Sequence, residues 1–237
     1  GRAAETLSGE PALVEVDRYM RRMRFLPDPD SEIKKLDPEV RRHLEFYTMG
    51  FNHYLETHGA VFEFRLLGYK PEPWRIRDSL ILGKIMAFLG LADAQGAMEK
   101  FLVQMARNDL SEKKLRELFP YLSERIDYAL LKKLELAPPL VPEALKWLSK
   151  IPKMTASNNW AVSGRLTASG KPIYCSDPHL EVNRIPSIWQ EIVLRLPDNV
   201  VMGASLPGVP GIAIGRTKNL AWGATYSFMD MIDYRIE

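Results

Sequence analysis

The chain has 237 residues, 46% of them hydrophobic and 26% charged, enough for one large domain or two small ones with an ordinary soluble core. The formal net charge is only +2, and bases alternate with acids, as in Glu112-Lys113-Lys114-Leu115-Arg116-Glu117. That balance argues against a nucleic-acid or anionic-membrane surface. The single cysteine, Cys175, excludes an intrachain disulfide, and no apolar run reaches the roughly 18–20 residues of a membrane helix.

The first part of the chain reads as helical. Residues 11–25 place Leu13, Val16, Tyr19, Met20 and Met23 close to an i, i+3, i+4 rhythm, and the Pro-Asp-Pro-Asp stretch at 27–30 breaks it. Asp37-Pro38-Glu39 opens the next helix, with an N-cap candidate ahead of a proline at the first helical position. That helix runs to about Thr57 and Gly59 ends it. Another begins near Asp78 and passes through Ile81, Ile85, Met86 and Leu89; two or three more are expected between 95 and 135. His43, His53 and His58 lie on or near one helix, but their spacings of ten and five do not stack two rings for a zinc ion, so they read as structural or surface residues.

Residues 137–156 hold four prolines, Pro138, Pro139, Pro142 and Pro152, and read as a spacer. Beyond it the pattern turns to strands: Asn159 to Leu166, a turn at Gly170, then Pro172 to Cys175, Ile188 to Leu196, Gly211 to Ile214 and Leu220 to Thr225. Val209-Pro210-Gly211 supplies turn chemistry among them. The fold class expected is α+β, with a helical part over 1–136, a spacer over 137–156 and a β-rich part over 157–237. The chain starts without methionine and stops in an expected strand, so it reads as an internal piece of something longer.

The run Ala156-Ser157-Asn158-Asn159-Trp160 carries the chemistry. A serine hydroxyl is a weak nucleophile that needs a base. A free α-amine titrates near ~7.7–8.0, far below a lysine at ~10.4. If the chain is cut between Ala156 and Ser157, one residue holds both the nucleophile and its general base. The same hydroxyl can make the cut by attacking the Ala156 carbonyl, giving an ester that water hydrolyses.

Further segments fall in order around this run. Ser157-Asn158-Asn159-Trp160 with Ser163-Gly164 resembles the start of the large chain of the penicillin acylase family of N-terminal nucleophile hydrolases. Asp177-Pro178-His179-Leu180 is similar to that family's Asn-Pro-His-Leu segment, Leu206-Pro207-Gly208-Val209-Pro210 to its Pro-Gly turn, and Asn219 to Thr225 to its Trp-Gly-x-Thr strand. Upstream, Phe64 to Trp74, ending Pro71-Glu72-Pro73-Trp74, resembles a hallmark of the small chain.

The resemblance implies an amide hydrolase built as an αββα sandwich, with the helical part belonging to the small chain and residue 157 onward to the large one. It implies Ser157 as nucleophile and base, His179 as a ring that can tune the serine hydroxyl, and the Tyr226 backbone N–H as an oxyanion donor, a contribution of ~2.7–4 kcal/mol. A second oxyanion donor belongs to a part of the family sequence beyond Glu237, so this piece alone is expected to be inactive. No cofactor is implied for the chemistry, but a structural calcium is, held by Asp230, the Ile232 carbonyl, Asp233 and, from the small chain, Glu99. Met86, Leu180 and Ile214 match acyl-pocket positions, and their aliphatic character suggests alkyl acyl groups. The implied partners are a small N-acyl amide and the remainder of the precursor; the sequence leaves the compartment unknown, and the resemblance favours a periplasmic or extracellular one. Two rivals stay open: a homologue that does not process itself and serves as a binding or scaffold protein, and an unrelated helical module joined to a β domain.

Overall fold

A computed structural model of the protein describes residues 2–88, 93–120, 126–135, 157–179 and 188–225. Helices occupy its first part and antiparallel strands its last, an α+β chain. The 137–156 spacer lies outside the described residues.

The helices are α1 (Ala3–Thr6), α2 (Pro11–Met23), α3 (Pro29–Lys35), α4 (Pro38–His58), α5 (Phe62–Leu66), α6 (Ile76–Ala87), α7 (Asp93–Arg107), α8 (Glu112–Leu118) and α9 (Tyr128–Lys133). Their ends follow side-chain chemistry. Asp37 accepts a hydrogen bond from Glu39 N at 2.8 Å, with Pro38 at the first position of α4, which satisfies an amide that the helix leaves orphaned. Gly59 ends α4 at φ 72°, where a side chain would be strained. The 27–30 stretch does more than break a helix. Asp28 accepts from Ser31 N at 3.0 Å and Pro29 starts α3, a helix too short to show periodicity. Asp78 is not the start of α6 but its third residue, accepting from Arg75 N at 2.8 Å.

A small core forms where Val16 and Tyr19 of α2 are buried against Met20, Met23 and Phe88, with Phe25 set edge-on to Phe88 at 5.4 Å. Asp17 is buried beside them and accepts from Ala3 N at 2.7 Å and Ala4 N at 2.9 Å, tying α1 to α2. Burial opposes its charge, but the Ala4 and Ala3 amides, helped by Arg21, outweigh it and hold the carboxyl below its usual range. A carboxyl with a depressed pKa in the folded state stabilises above its unfolded value of about 3.9 and loses that contribution as pH falls through the folded value. Asp17→Asn is therefore expected to cost about 1–2 kcal/mol at pH 7 and to cost less at pH 2–3, read from urea midpoints at the two pH values.

The strands are β1 (Ser157–Val162), β2 (Ile173–Pro178), β3 (Gln190–Arg195), β4 (Val200–Leu206), β5 (Val209–Arg216) and β6 (Ala221–Trp222). β1 and β2 form a two-stranded antiparallel sheet; β3, β4, β5 and β6 form an antiparallel meander in that order. Three strand expectations change. The run to Leu166 ends as a strand at Val162, and Gly164–Leu166 is a 3-10 turn. β4 was not anticipated. The tight turn falls at Pro207-Gly208, so Val209 and Pro210 belong to β5. Pro210 is tolerated there because the β4–β5 ladder is irregular between Ala204 and Leu206, and a bulge asks no amide of it. The carbonyls freed by the irregularity find side chains: Ser205 Oγ donates to Gly211 O at 2.6 Å, and Trp222 Nε1 to Ile212 O at 2.9 Å.

The helices meet the larger sheet at the Pro207-Gly208 turn. Gly208 has φ +84°, and a Cβ there would lie 2.5 Å from Leu82 Cδ2 and 3.2 Å from the Trp74 ring. The Tyr47 hydroxyl accepts from Gly208 N at 3.1 Å. Trp74 is held in turn by the Asn52 amide, which accepts from Trp74 N at 2.7 Å and donates to Trp74 O at 2.9 Å, while its indole donates to Ser79 Oγ at 3.0 Å. Two segments far apart in the chain, Pro73-Trp74 and Pro207-Gly208, thus form one clasp between α4, α6 and β5.

Candidate active site

Ser157 is the first residue of β1 and is half-buried. β1 pairs with β2 so that Ser157 faces Pro178, Asn158 faces Asp177, Asn159 faces Ser176 and Trp160 faces Cys175. Side chains alternate across a strand. Ser157, Asn159, Tyr174 and Ser176 therefore share one face of this hairpin, and Asn158 and Asp177 share the other. The register also brings His179, the residue after Pro178, to the end of β1 beside Ser157.

On the Ser157 face, Asn159 Nδ2 donates to the Tyr174 hydroxyl at 2.6 Å. Gly223, just after β6, abuts the same face: a Cβ on it would collide with the Tyr174 hydroxyl and lie 2.6 Å from Ser176 Oγ. The absent side chain lets the backbone that continues toward residue 226 approach the hairpin on the side to which Ser157 points. On the other face, His179 Nε2 lies 2.8 Å from Asp177 Oδ2 and 3.4 Å from Asn158 Nδ2. Two neighbours of the serine strand, Tyr174 and Asp177, were missed as partners by sequence reasoning. The two-residue alternation of β2 was the available signal for both.

A model of the family described as penicillin amidase matches residues 1–237. The chain belongs to the penicillin amidase family. It is 29% identical over 250 residues to the acyl-homoserine lactone acylase QuiP of Pseudomonas aeruginosa, an alignment that takes in 100% of this chain and 29% of that protein. It is 30% identical over 259 residues to the penicillin acylase 2 proenzyme of Pseudomonas sp. strain SE83, covering 100% of this chain and 32% of the relative. The acyl-homoserine lactone acylase PvdQ of Pseudomonas savastanoi matches 29% of the chain at 39% identity, over 9% of its own length. The chain thus spans about a third of the length of the curated relatives it matches over its full extent.

Within this chain, Ser157 pairs with Pro178 and His179 follows that pair, with its side chain on the face opposite Ser157. Met86 near the end of α6 and Ile214 on β5 are both half-buried, on two elements that pack against each other. Neither lines the groove of about 810 Å³ between α4, α6 and β5, whose walls include Leu44, Tyr47, Leu80, Val209 and Pro210. Glu99 lies on α7, where its Oε1 accepts from Gln95 Nε2 at 2.8 Å. Ala156, Leu180, Tyr226, Asp230, Ile232 and Asp233 lie outside the described residues. Among the described residues, no group of three His, Cys, Asp or Glu side chains could hold a metal ion, and no helix is long and apolar enough to cross a membrane. His58, read as structural or surface, is stacked on Tyr54 with ring centres 4.4 Å apart.

Proposed function

We propose that the full polypeptide is an acylase that hydrolyses an N-acyl amide, with Ser157 as its nucleophile after cleavage of the Ala156–Ser157 bond. The observation that supports this reading is the position of Ser157 as the first residue of β1, opposite Pro178, the residue before His179. A nucleophile at a strand end can become a chain terminus without dismantling the ladder behind it, and its α-amine then lies within reach of its own hydroxyl. Ser157 Oγ attacks the substrate carbonyl while the amine, directly or through a water, takes the hydroxyl proton. The Tyr226 N–H donates to the oxyanion, the amine product departs with the proton, and water hydrolyses the acyl ester by the same route in reverse. Gly223 supports the oxyanion assignment, because it draws the chain leading to Tyr226 against the Ser157 face.

Met86, Leu180 and Ile214 line the acyl pocket in this reading, and their aliphatic surfaces favour alkyl over aromatic acyl groups. Full-length protein is expected to hydrolyse alkanoyl amides at least about tenfold faster, in kcat/KM, than phenylacetyl amides, a difference of about 1.4 kcal/mol. Faster phenylacetyl release overturns the pocket assignment, and no amide hydrolysis at all overturns the function. A structural calcium held by Asp230, the Ile232 carbonyl, Asp233 and Glu99 completes the reading. The Glu99 carboxylate offers the hard oxygen such an ion takes, with Oε2 not used by Gln95. Chelation is expected to lower the Tm of full-length protein by several degrees, and an unchanged Tm counts against the ion.

A further inference from the structure

Among the described residues, His179 Nε2 has two polar neighbours, and they make incompatible demands on it. An ionised carboxylate can only accept hydrogen bonds, so the 2.8 Å contact with Asp177 Oδ2 requires a proton on Nε2. An amide NH2 can only donate, so the 3.4 Å contact with Asn158 Nδ2 would require Nε2 to be bare. The shorter, charge-assisted contact decides: Nε2 carries the hydrogen, and the Asn158 amide can join only by presenting its oxygen. An asparagine at position 177, the residue in the family segment that Asp177-Pro178-His179-Leu180 resembles, would offer both a donor and an acceptor and leave the choice open.

We propose that Asp177 is a positioning residue of the Ser157 site, acting through His179. It fixes the neutral ring as the Nε2–H tautomer and holds the Nε2 edge on the hairpin face opposite Ser157. Nδ1 is then the ring's acceptor, offered in this proposal to the α-ammonium that cleavage would create at Ser157, because the hydroxyl points to the opposite face. No bond is made or broken in this role; the carboxylate selects which nitrogen holds the proton. Among the described residues, the titratable group facing the ring is Asp177 on β2, and from β1 the only one is the α-amine that cleavage creates at Ser157. The inference rests on the reading of Ser157 as nucleophile. Asp177 is exposed, with 65% of its side chain accessible, so replacing it tests the ring rather than the fold.

The test is 15N spectroscopy of the histidine ring in full-length protein, assigned by loss of the signal in His179→Gln, combined with kinetics on an alkanoyl amide. Wild type is expected to show the neutral ring protonated on Nε2. Asp177→Ala is expected to show a mixture of the two tautomers, a kcat lower by about tenfold or more with KM changed less than about twofold, and an altered pH profile. Asp177→Asn is expected to fall between the two. An unchanged tautomer in Asp177→Ala overturns the proposal, as does a changed tautomer with unchanged kcat and pH profile. The two readings fail separately. Full activity in Ser157→Ala removes the nucleophile assignment, whereas normal kinetics in Asp177→Ala beside an inactive Ser157→Ala removes only the role of Asp177.

Discussion

Ser157→Ala is expected to leave the full-length polypeptide as one chain, where the wild type yields two, and to abolish amide hydrolysis. The substitution removes only an oxygen, and β1 keeps its backbone pairing with β2, so the variant should fold. It loses the hydroxyl that attacks both the Ala156 carbonyl and the substrate, and the expected fall in kcat is roughly 10⁴-fold or more. Intact-mass measurement of the two proteins after the same incubation reads the first effect, and acid release from an alkanoyl amide the second. A Ser157→Ala protein that still splits before residue 157 would falsify self-processing by this hydroxyl. A wild type that stays whole would favour the scaffold reading.

The second large effect is structural and lies in the larger sheet. Gly203 of β4 stands opposite Gly215 of β5. A Cβ on Gly203 would collide with the Ile214 carbonyl oxygen and lie 2.6 Å from Gly215 Cα and 2.7 Å from Ile212 Cγ2. Two of those neighbours are backbone, so no rotamer relieves them, and the strands must part. Gly203→Ala is expected to destabilise the protein by about 3 kcal/mol, and a urea midpoint unchanged from wild type would contradict this account. The site would suffer with the sheet, because β6 and Gly223 follow from β5 and reach the Ser157 hairpin.

Legibility from sequence followed the range of the determining interaction. Capping is local, so Asp37, Pro38 and Gly59 marked the ends of α4 without any knowledge of the fold. The order of β1 and β2 was equally readable, because Gly170 and the short apolar runs around it are neighbours. β4 was hidden because Gly203-Ala204-Ser205 are poor strand formers; they are selected there by close approach to β5 and by the Ser205 bond to Gly211, contacts that exist only after the strands pair. The turn at Pro207-Gly208 was marked by the family segment it resembles, while turn chemistry alone also pointed to Val209-Pro210-Gly211, which looks equally turn-like until the bulge opposite it is known. At the candidate site, Ser157 is proposed from the chemistry of its own run and strengthened by resemblance to the family's ordered segments, and His179 is proposed from that resemblance alone. The faces that β1 and β2 share required their register, whereas the Asp177–His179 contact follows from the two-residue alternation of β2 continued to His179.

If the chain is opened before Ser157, as proposed, the clasp around Gly208 acquires a different meaning. Tyr47, Trp74 and Leu82 belong to the segment upstream of the cut, and Gly208 to the segment downstream. What was packing within one molecule becomes a subunit interface, and holding the halves together becomes a matter of mass action. Stability of the matured protein then depends on its own concentration, while the uncut precursor's does not. Mutations at Tyr47 or Gly208 would therefore destabilise both forms, but only in the mature form would the loss grow on dilution.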